Sequence, residues 1–133
     1  MGPTCLRRAS SLASHETMLH TQTDLWKLAM DLVVEVYRLT ACLPKDERFR
    51  LVSQMQRAAT SVPSNIAEGA GRESDADYRR FLYVARGSLN ELWTQLSICH
   101  RLEYLATTDT TAAEQLMSRV RQLLAGTIRM LGR

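Results

Sequence analysis

Residues 57–72 read RAATSVPSNIAEGAGR. Whether this run breaks a helix or passes through one decides how many helices the chain has. Helix-favouring sequence flanks it on both sides, yet it holds Pro63, Asn65, Gly69, Gly71 and the hydroxyls of Thr60, Ser61 and Ser64. A proline inside a helix removes one amide donor and frees the carbonyl four residues earlier, at a cost of about 3 kcal/mol when nothing compensates. Compensation is at hand. Hydroxyls can bond carbonyls of the preceding turn, and an Asn amide can donate and accept. Apolar residues also keep helical spacing through the proline, from Ala58, Ala59 and Val62 to Ile66 and Ala67. The run therefore reads as a kinked helix over 45–69, closed by Gly69 and Gly71.

Working outward, three more amphipathic segments appear. The segment before it, DLWKLAMDLVVEVYRLTACLP, can be capped by Thr23 or Asp24 and is stopped by Pro44, giving a helix over 24–43. Leu25, Leu28, Leu32, Val36, Leu39 and Leu43 make one stripe at helical spacing, and Trp26, Met30, Val33 and Tyr37 make a second beside it. One stripe suits a bundle core; the second calls for another partner, most economically a second copy of the chain. After Ser74, a plausible cap, Tyr78, Phe81, Leu82, Ala85, Leu89, Leu92, Leu96 and Cys99 share a face of a helix over 75–105. The turn TTDTT precedes a helix over 110–131, with Leu116, Val120, Leu123, Leu124, Ile128 and Leu131 inward. Four helices with short connections predict an all-α, up-down-up-down antiparallel four-helix bundle over 23–133.

The first 22 residues lack periodicity and read as a disordered tail. Arg7-Arg8 is not followed by an apolar stretch, so they make a poor signal peptide, and Leu6 spoils a myristoylation motif at Gly2. Met18 is an alternative start. No apolar run approaches the roughly 18 residues that span a bilayer, so no membrane partner is expected and the location is read as cytoplasmic.

The 133 residues carry 17 basic and 14 acidic side chains, a net charge of +3, milder than a strong nucleic-acid binder shows. Only Lys27 and Lys45 among the basic residues are lysines, and arginine favours flat contacts with phosphate and carboxylate. The three cysteines, Cys5, Cys42 and Cys99, have no metal-site spacing. Cys42 and Cys99 fall on apolar helical positions and read as core thiols of a reducing compartment.

Catalysis needs convergent groups. His15 and His20 lie in the tail, and His100 beside Cys99 points about 100° away from it on a helix, so neither reads as part of a nucleophile–base pair. Glu68 and Glu91 read as partners of nearby arginines rather than as a catalytic pair. Gly87-Ser88 in mid-helix costs about 1 kcal/mol relative to alanine, and reads as a place where a neighbouring helix comes close, in the core or between subunits. No catalytic residue, metal or cofactor is expected. The 57–72 run has a functional reading beside its structural one. Arg57, Arg72, Arg79 and Arg80 would converge with the glycine turn, and amides at the next helix start would add to an anion site.

The pattern QMQRAATSVPSNIAEGAGRESDADYRRFLYVARGSLNELWTQL, with LWKLAMDLVVEVYRL ahead of it, resembles the bacterial four helix bundle proteins encoded in intervening sequences of 23S ribosomal RNA genes. The resemblance covers about 24–105. It implies a short bundle assembled as a homopentamer, with no enzymatic activity. The accessory proteins of diversity-generating retroelements are similar, and they engage nucleic acid and a reverse transcriptase. The family's recurrent positions fall on Arg57, Ser61, Asn65, Glu68, Gly69, Arg72, Phe81, Arg86, Gly87, Ser88 and Glu91. Together with Pro63, these frame the expected motif. The expectation is a non-enzymatic oligomeric scaffold that binds RNA or a ribonucleoprotein weakly through Arg57, Arg72, Arg79, Arg80 and Arg86. The alternative is a module for a protein partner such as a reverse transcriptase.

Overall fold

Thr23 caps the first helix as its sequence suggests: its Oγ1 accepts the Trp26 amide at 3.2 Å. In this computed structural model the described residues are 23–132, and the expected tail over 1–22, with Cys5, His15 and His20, lies outside them. Four helices follow in order: α1 (Asp24–Thr40), α2 (Leu51–Ala70), α3 (Asp75–Arg101) and α4 (Thr111–Leu131). There is no strand among the described residues. Each helix packs on two others, α1 on α2 and α4, and α3 on α2 and α4, which closes an up-down-up-down antiparallel bundle.

The core follows the periodicity except in α4, where Ala113 and Met117 are buried and the expected Leu116, Leu123 and Leu131 are only partly so. Leu32, Met55, Val62, Ile66, Leu82, Leu89, Leu92, Met117, Val120 and Leu124 are fully buried. The second stripe of α1 splits: Trp26 and Val33 pack partly on the core, while Met30 and Tyr37 stay exposed, as does the neighbouring Val34.

Helix α2 passes through Pro63 without interruption, and the proline ring is buried. Polar groups around it bond backward along the helix. Thr60 Oγ1 donates to the carbonyls of Gln56 (2.9 Å) and Arg57 (3.1 Å), and Asn65 Nδ2 to that of Ser61 (2.8 Å).

Three expectations need correction. The second helix starts at Leu51, not 45. Lys45–Glu47 form a 3-10 turn that buries no side chain, and Arg50 leaves helical geometry at φ −121°, ψ −103°, so this charged segment has nothing to fold against. The third helix stops at Arg101, not 105. Glu103 adopts φ +60°, while the amides of Glu103 and Tyr104 bond the carbonyls of His100 and Cys99 (3.1 and 2.9 Å) in a Schellman closure without a glycine. Cys42 is exposed because α1 has ended by Thr40, and of the two described cysteines Cys99 is the core thiol.

The helices α2 and α3 come close at their turn. A Cβ on Gly69 would stand 2.8 Å from Phe81 Cβ and 2.9 Å from Tyr78 Cδ1. Ser74 then caps α3 by accepting the Asp77 amide at 3.1 Å.

Candidate nucleic-acid interface and the cleft between α2 and α3

The sequence-predicted residues separate into three groups. Arg57 lies in the middle of the α2–α3 face, about 20 Å along the helix from the turn that holds Arg72 and Arg80. Arg79 is committed elsewhere: its guanidinium donates to the Leu131 carbonyl at 3.3 Å, closing the C-terminal end of α4. The expected convergence of four arginines on one turn is therefore not what the fold builds.

At the turn, Arg72 and Arg80 bracket an aromatic ring. Their guanidinium carbons lie 4.8 and 4.4 Å from the Phe81 ring centre. Both are also paired with acids. Arg72 bonds Glu68 at 2.7 Å and approaches Asp77 at 3.6 Å, and Arg80 bonds Asp77 at 2.9 Å. Gly71, Arg72, Ser74, Asp77 and Arg80 line an open hollow of about 810 Å³ there. With Asp75 and Asp77 in the first turn of α3 and Ser74 already on an amide, this helix start is a poor anion site.

Along α3 the pairing of arginine with an aromatic recurs. Arg86 stacks on Tyr83 at 4.6 Å, and Arg121 of α4 lies 5.7 Å from Trp93 while bonding Asn90 at 3.1 Å. Tyr83 and Trp93 are 45% and 41% exposed, so both ring systems reach solvent.

The third group meets in a cleft of about 340 Å³ lined by Gln54, Arg57, Ala58, Ser61, Ser88 and Glu91. Its floor is a hydrogen-bonded chain across the two helices: Ser88 Oγ donates to Ser61 Oγ at 2.8 Å, and Asn65 Nδ2 to the same oxygen at 2.9 Å. Buried Gln95 donates through Nε2 to Glu91 Oε1 at 3.3 Å and leaves its own Oε1 without a partner among the described residues. Arg57 and Glu91 share this cleft, yet neither makes an ion pair among the described residues. The expected arginine partner thus exists for Glu68 and not for Glu91.

Gly87, on the exposed side of this face, has no atom within 4 Å of the place a Cβ would take. Of the Gly87-Ser88 pair, Ser88 meets α2 through Ser61 at 2.8 Å, while the position of a Gly87 side chain faces no described neighbour, which corrects the core reading for Gly87 alone. Gln54, which lines the cleft, and Gln95, which bonds Glu91 from the interior, were missed. The signal was present: Gln54, Arg57, Ala58 and Ser61 share one face at i, i+3, i+4, i+7, and Glu91 and Gln95 are one turn apart.

Elsewhere, Cys99 and His100 are occupied. Cys99 is fully buried with its Sγ 3.7 Å from Met55 Sδ, and burial pushes its thiol up to about 11, with the charge of Glu47 adding to the effect. A thiol so weakly acidic is a poor nucleophile at neutral pH. His100 Nε2 bonds the buried Thr110 hydroxyl at 2.9 Å, away from Cys99. Among the described residues no cluster of His, Cys, Asp or Glu could hold a metal ion, and no helix is long and apolar enough to cross a membrane.

A four-helix bundle with this α2–α3 motif defines a class, and comparison with known proteins places the chain within one. Residues 21–126 match the 23S rRNA-intervening sequence protein family, and the chain belongs to that family. Its fold is similar to the crystal structure of a protein of unknown function from the S23 ribosomal protein family of Bacteroides thetaiotaomicron. The two share 24% identity at a TM-score of 0.72, over 78% of this chain and 97% of that one. The search of curated proteins found no match.

Proposed function

We propose that this protein is a non-enzymatic, cytoplasmic, oligomeric scaffold that binds single-stranded RNA, or a ribonucleoprotein, weakly and with little regard to sequence. The observation that carries the reading is the run of arginine-on-aromatic stacks along α3: Arg72 and Arg80 on Phe81, Arg86 on Tyr83, Arg121 on Trp93. The exposed rings of Tyr83 and Trp93 accept stacked bases and arginines neutralise phosphates, the combination that holds single strands without reading them. The family's connection to intervening sequences of 23S rRNA agrees with an RNA partner. Arg57 completes the candidate set, while Arg79 serves the end of α4.

Self-association supplies the strength that a subunit of net charge +3 lacks, because repeated weak patches act together. Exposed Met30, Val34 and Tyr37 on α1 and Val84 and Ile98 on α3 offer apolar area for it. The expected number of subunits is five, from the family resemblance; analytical ultracentrifugation at micromolar concentration checks it.

The test is binding of a labelled RNA oligomer at about 50 and 200 mM salt by the parent and by Arg80→Ala/Arg86→Ala. Affinity falls with salt at a slope of about −0.7 per phosphate contact, and the double variant binds more weakly. No binding at the lower salt, or equal binding by the variant, removes the RNA reading and leaves a protein partner, such as a reverse transcriptase, as the better one.

A further inference from the structure

The stacks on α3 would treat all bases alike. The α2–α3 cleft would not. We infer that this cleft is a site for the Watson–Crick edge of an unpaired guanine. The inference depends on the RNA reading only for the source of that guanine, a single-stranded RNA rather than a free nucleotide.

The cleft has a definite polarity. Its volume of about 340 Å³ lies at the small end of the roughly 300–1,000 Å³ typical of ligand sites. Arg57 brings hydrogen-bond donors and positive charge, and Glu91 brings acceptors and negative charge, without closing on each other. The Ser61 hydroxyl already accepts two hydrogen bonds, from Ser88 and Asn65, so its own proton remains to be donated. Gln95, only 4% exposed, fixes the Glu91 carboxylate from behind through Nε2.

An occupant must therefore offer acceptors toward Arg57 and Ser61 and donors toward Glu91. A simple anion is repelled by Glu91, and a simple cation by Arg57. Among the four bases, guanine alone presents two adjacent donors, N1–H and the N2 amino group, which match the two oxygens of a carboxylate. Its O6 acceptor stands beside them on the same edge. Adenine and cytosine each offer one amino group there, and uracil one ring N–H. Single-stranded RNA leaves this edge free to be read.

At 100° per residue, Glu91 and Ser88 lie about 80° and 140° around α3 from Tyr83, with Trp93 on the other side of Tyr83. One strand crossing the exposed arc of α3 can then stack on Tyr83 and be read in the cleft.

The experiment compares GMP with IMP, which differs only in lacking the N2 amino group, by calorimetric titration of the full-length protein at about 50 mM salt. GMP binds roughly tenfold more tightly than IMP, the discrimination a bidentate contact gives. Glu91→Gln abolishes that preference, and Arg57→Ala weakens both nucleotides. Both side chains are exposed, and circular dichroism confirms that the variants fold. Equal affinity for GMP and IMP, a preference that survives Glu91→Gln, or no binding of either nucleotide overturns the inference.

A second arm uses UUUGUUU and UUUUUUU. Equal binding of the two heptamers overturns the guanine site and leaves nonspecific RNA binding standing. A GMP preference with no heptamer binding supports the site and overturns the RNA reading.

Discussion

Two regions of the α2–α3 interface use the same residue types to different effect. At the turn, Gly69 lets the helices touch and the arginines are spent: Arg72 on Glu68 and Asp77, Arg80 on Asp77, both stacked on Phe81. About 20 Å away, a Cβ on Gly87 beside the cleft would meet no described atom within 4 Å, and Arg57 and Glu91 stand in one hollow without an ion-pair partner among the described residues. The turn is complete within one chain. The cleft leaves Arg57 and Glu91 without ion-pair partners among the described residues. A glycine or an arginine does not announce its role; what surrounds it does.

The largest expected effect is at the turn. Gly69→Ala forces a methyl group against Phe81 Cβ at 2.8 Å and the Tyr78 carbonyl at 3.1 Å, atoms carried by backbone that cannot swing away. Overpacking of this kind costs about 1–3 kcal/mol, read as a lower midpoint in urea unfolding. A neutral outcome would show that the turn is not tightly packed and would erase the contrast with Gly87.

Next comes the cleft floor. Ser61→Ala removes the oxygen that accepts from both Ser88 and Asn65, two half-buried donors. The loss is about 1 kcal/mol of stability. A larger loss would make the floor a structural keystone like Gly69, weakening its reading as part of a binding site.

Much of this was legible in the sequence. The leucine spacing of α1 and α3 gave the helices, Thr23 and Ser74 gave their starts, and the continued apolar spacing carried α2 through Pro63. Ends were harder. Pro44 and acidic residues look like a helix start, but a start needs an apolar face behind it, and 45–47 has none. Glu103 closes α3 in a conformation usually marked by glycine, so no residue type signalled it. The cleft was half legible. The family resemblance picked out Arg57, Ser61, Ser88 and Glu91, yet only the register of α2 against α3 brings them together. Register is a long-range property, and helical periodicity on one strand of sequence does not contain it.

Gly87→Ala has the opposite sign to Gly69→Ala. With nothing within 4 Å of the added methyl, the gain is the helix propensity of alanine, about 0.5–1 kcal/mol in the isolated subunit. The thermal midpoint of the dilute protein rises. If a second copy packs its backbone over Gly87, the same change weakens self-association in sedimentation, and the two measurements move apart. A dilute protein that loses stability would mean that Gly87 has a neighbour within its own chain.

The smallest effect separates spent arginines from idle ones. Arg80→Ala removes an ion pair to Asp77 and a stack on Phe81, both near the surface: the side chains of Arg80 and Asp77 are 61% and 34% exposed. Exposed pairs contribute about 0.2–1 kcal/mol, and salt screens them. Arg80→Ala should therefore lower stability by a few tenths of a kcal/mol in dilute buffer, and by less in about 1 M salt. Arg57 has no such partner among the described residues, so Arg57→Ala should stay within about 0.5 kcal/mol of the parent at either salt. The salt dependence decides between the two. If Arg57→Ala costs as much as Arg80→Ala and the cost shrinks with salt, Arg57 is already paired in solution, with Glu91 the nearest candidate. The cleft would then be a closed surface ion pair like the turn, with no polarity left to offer a base.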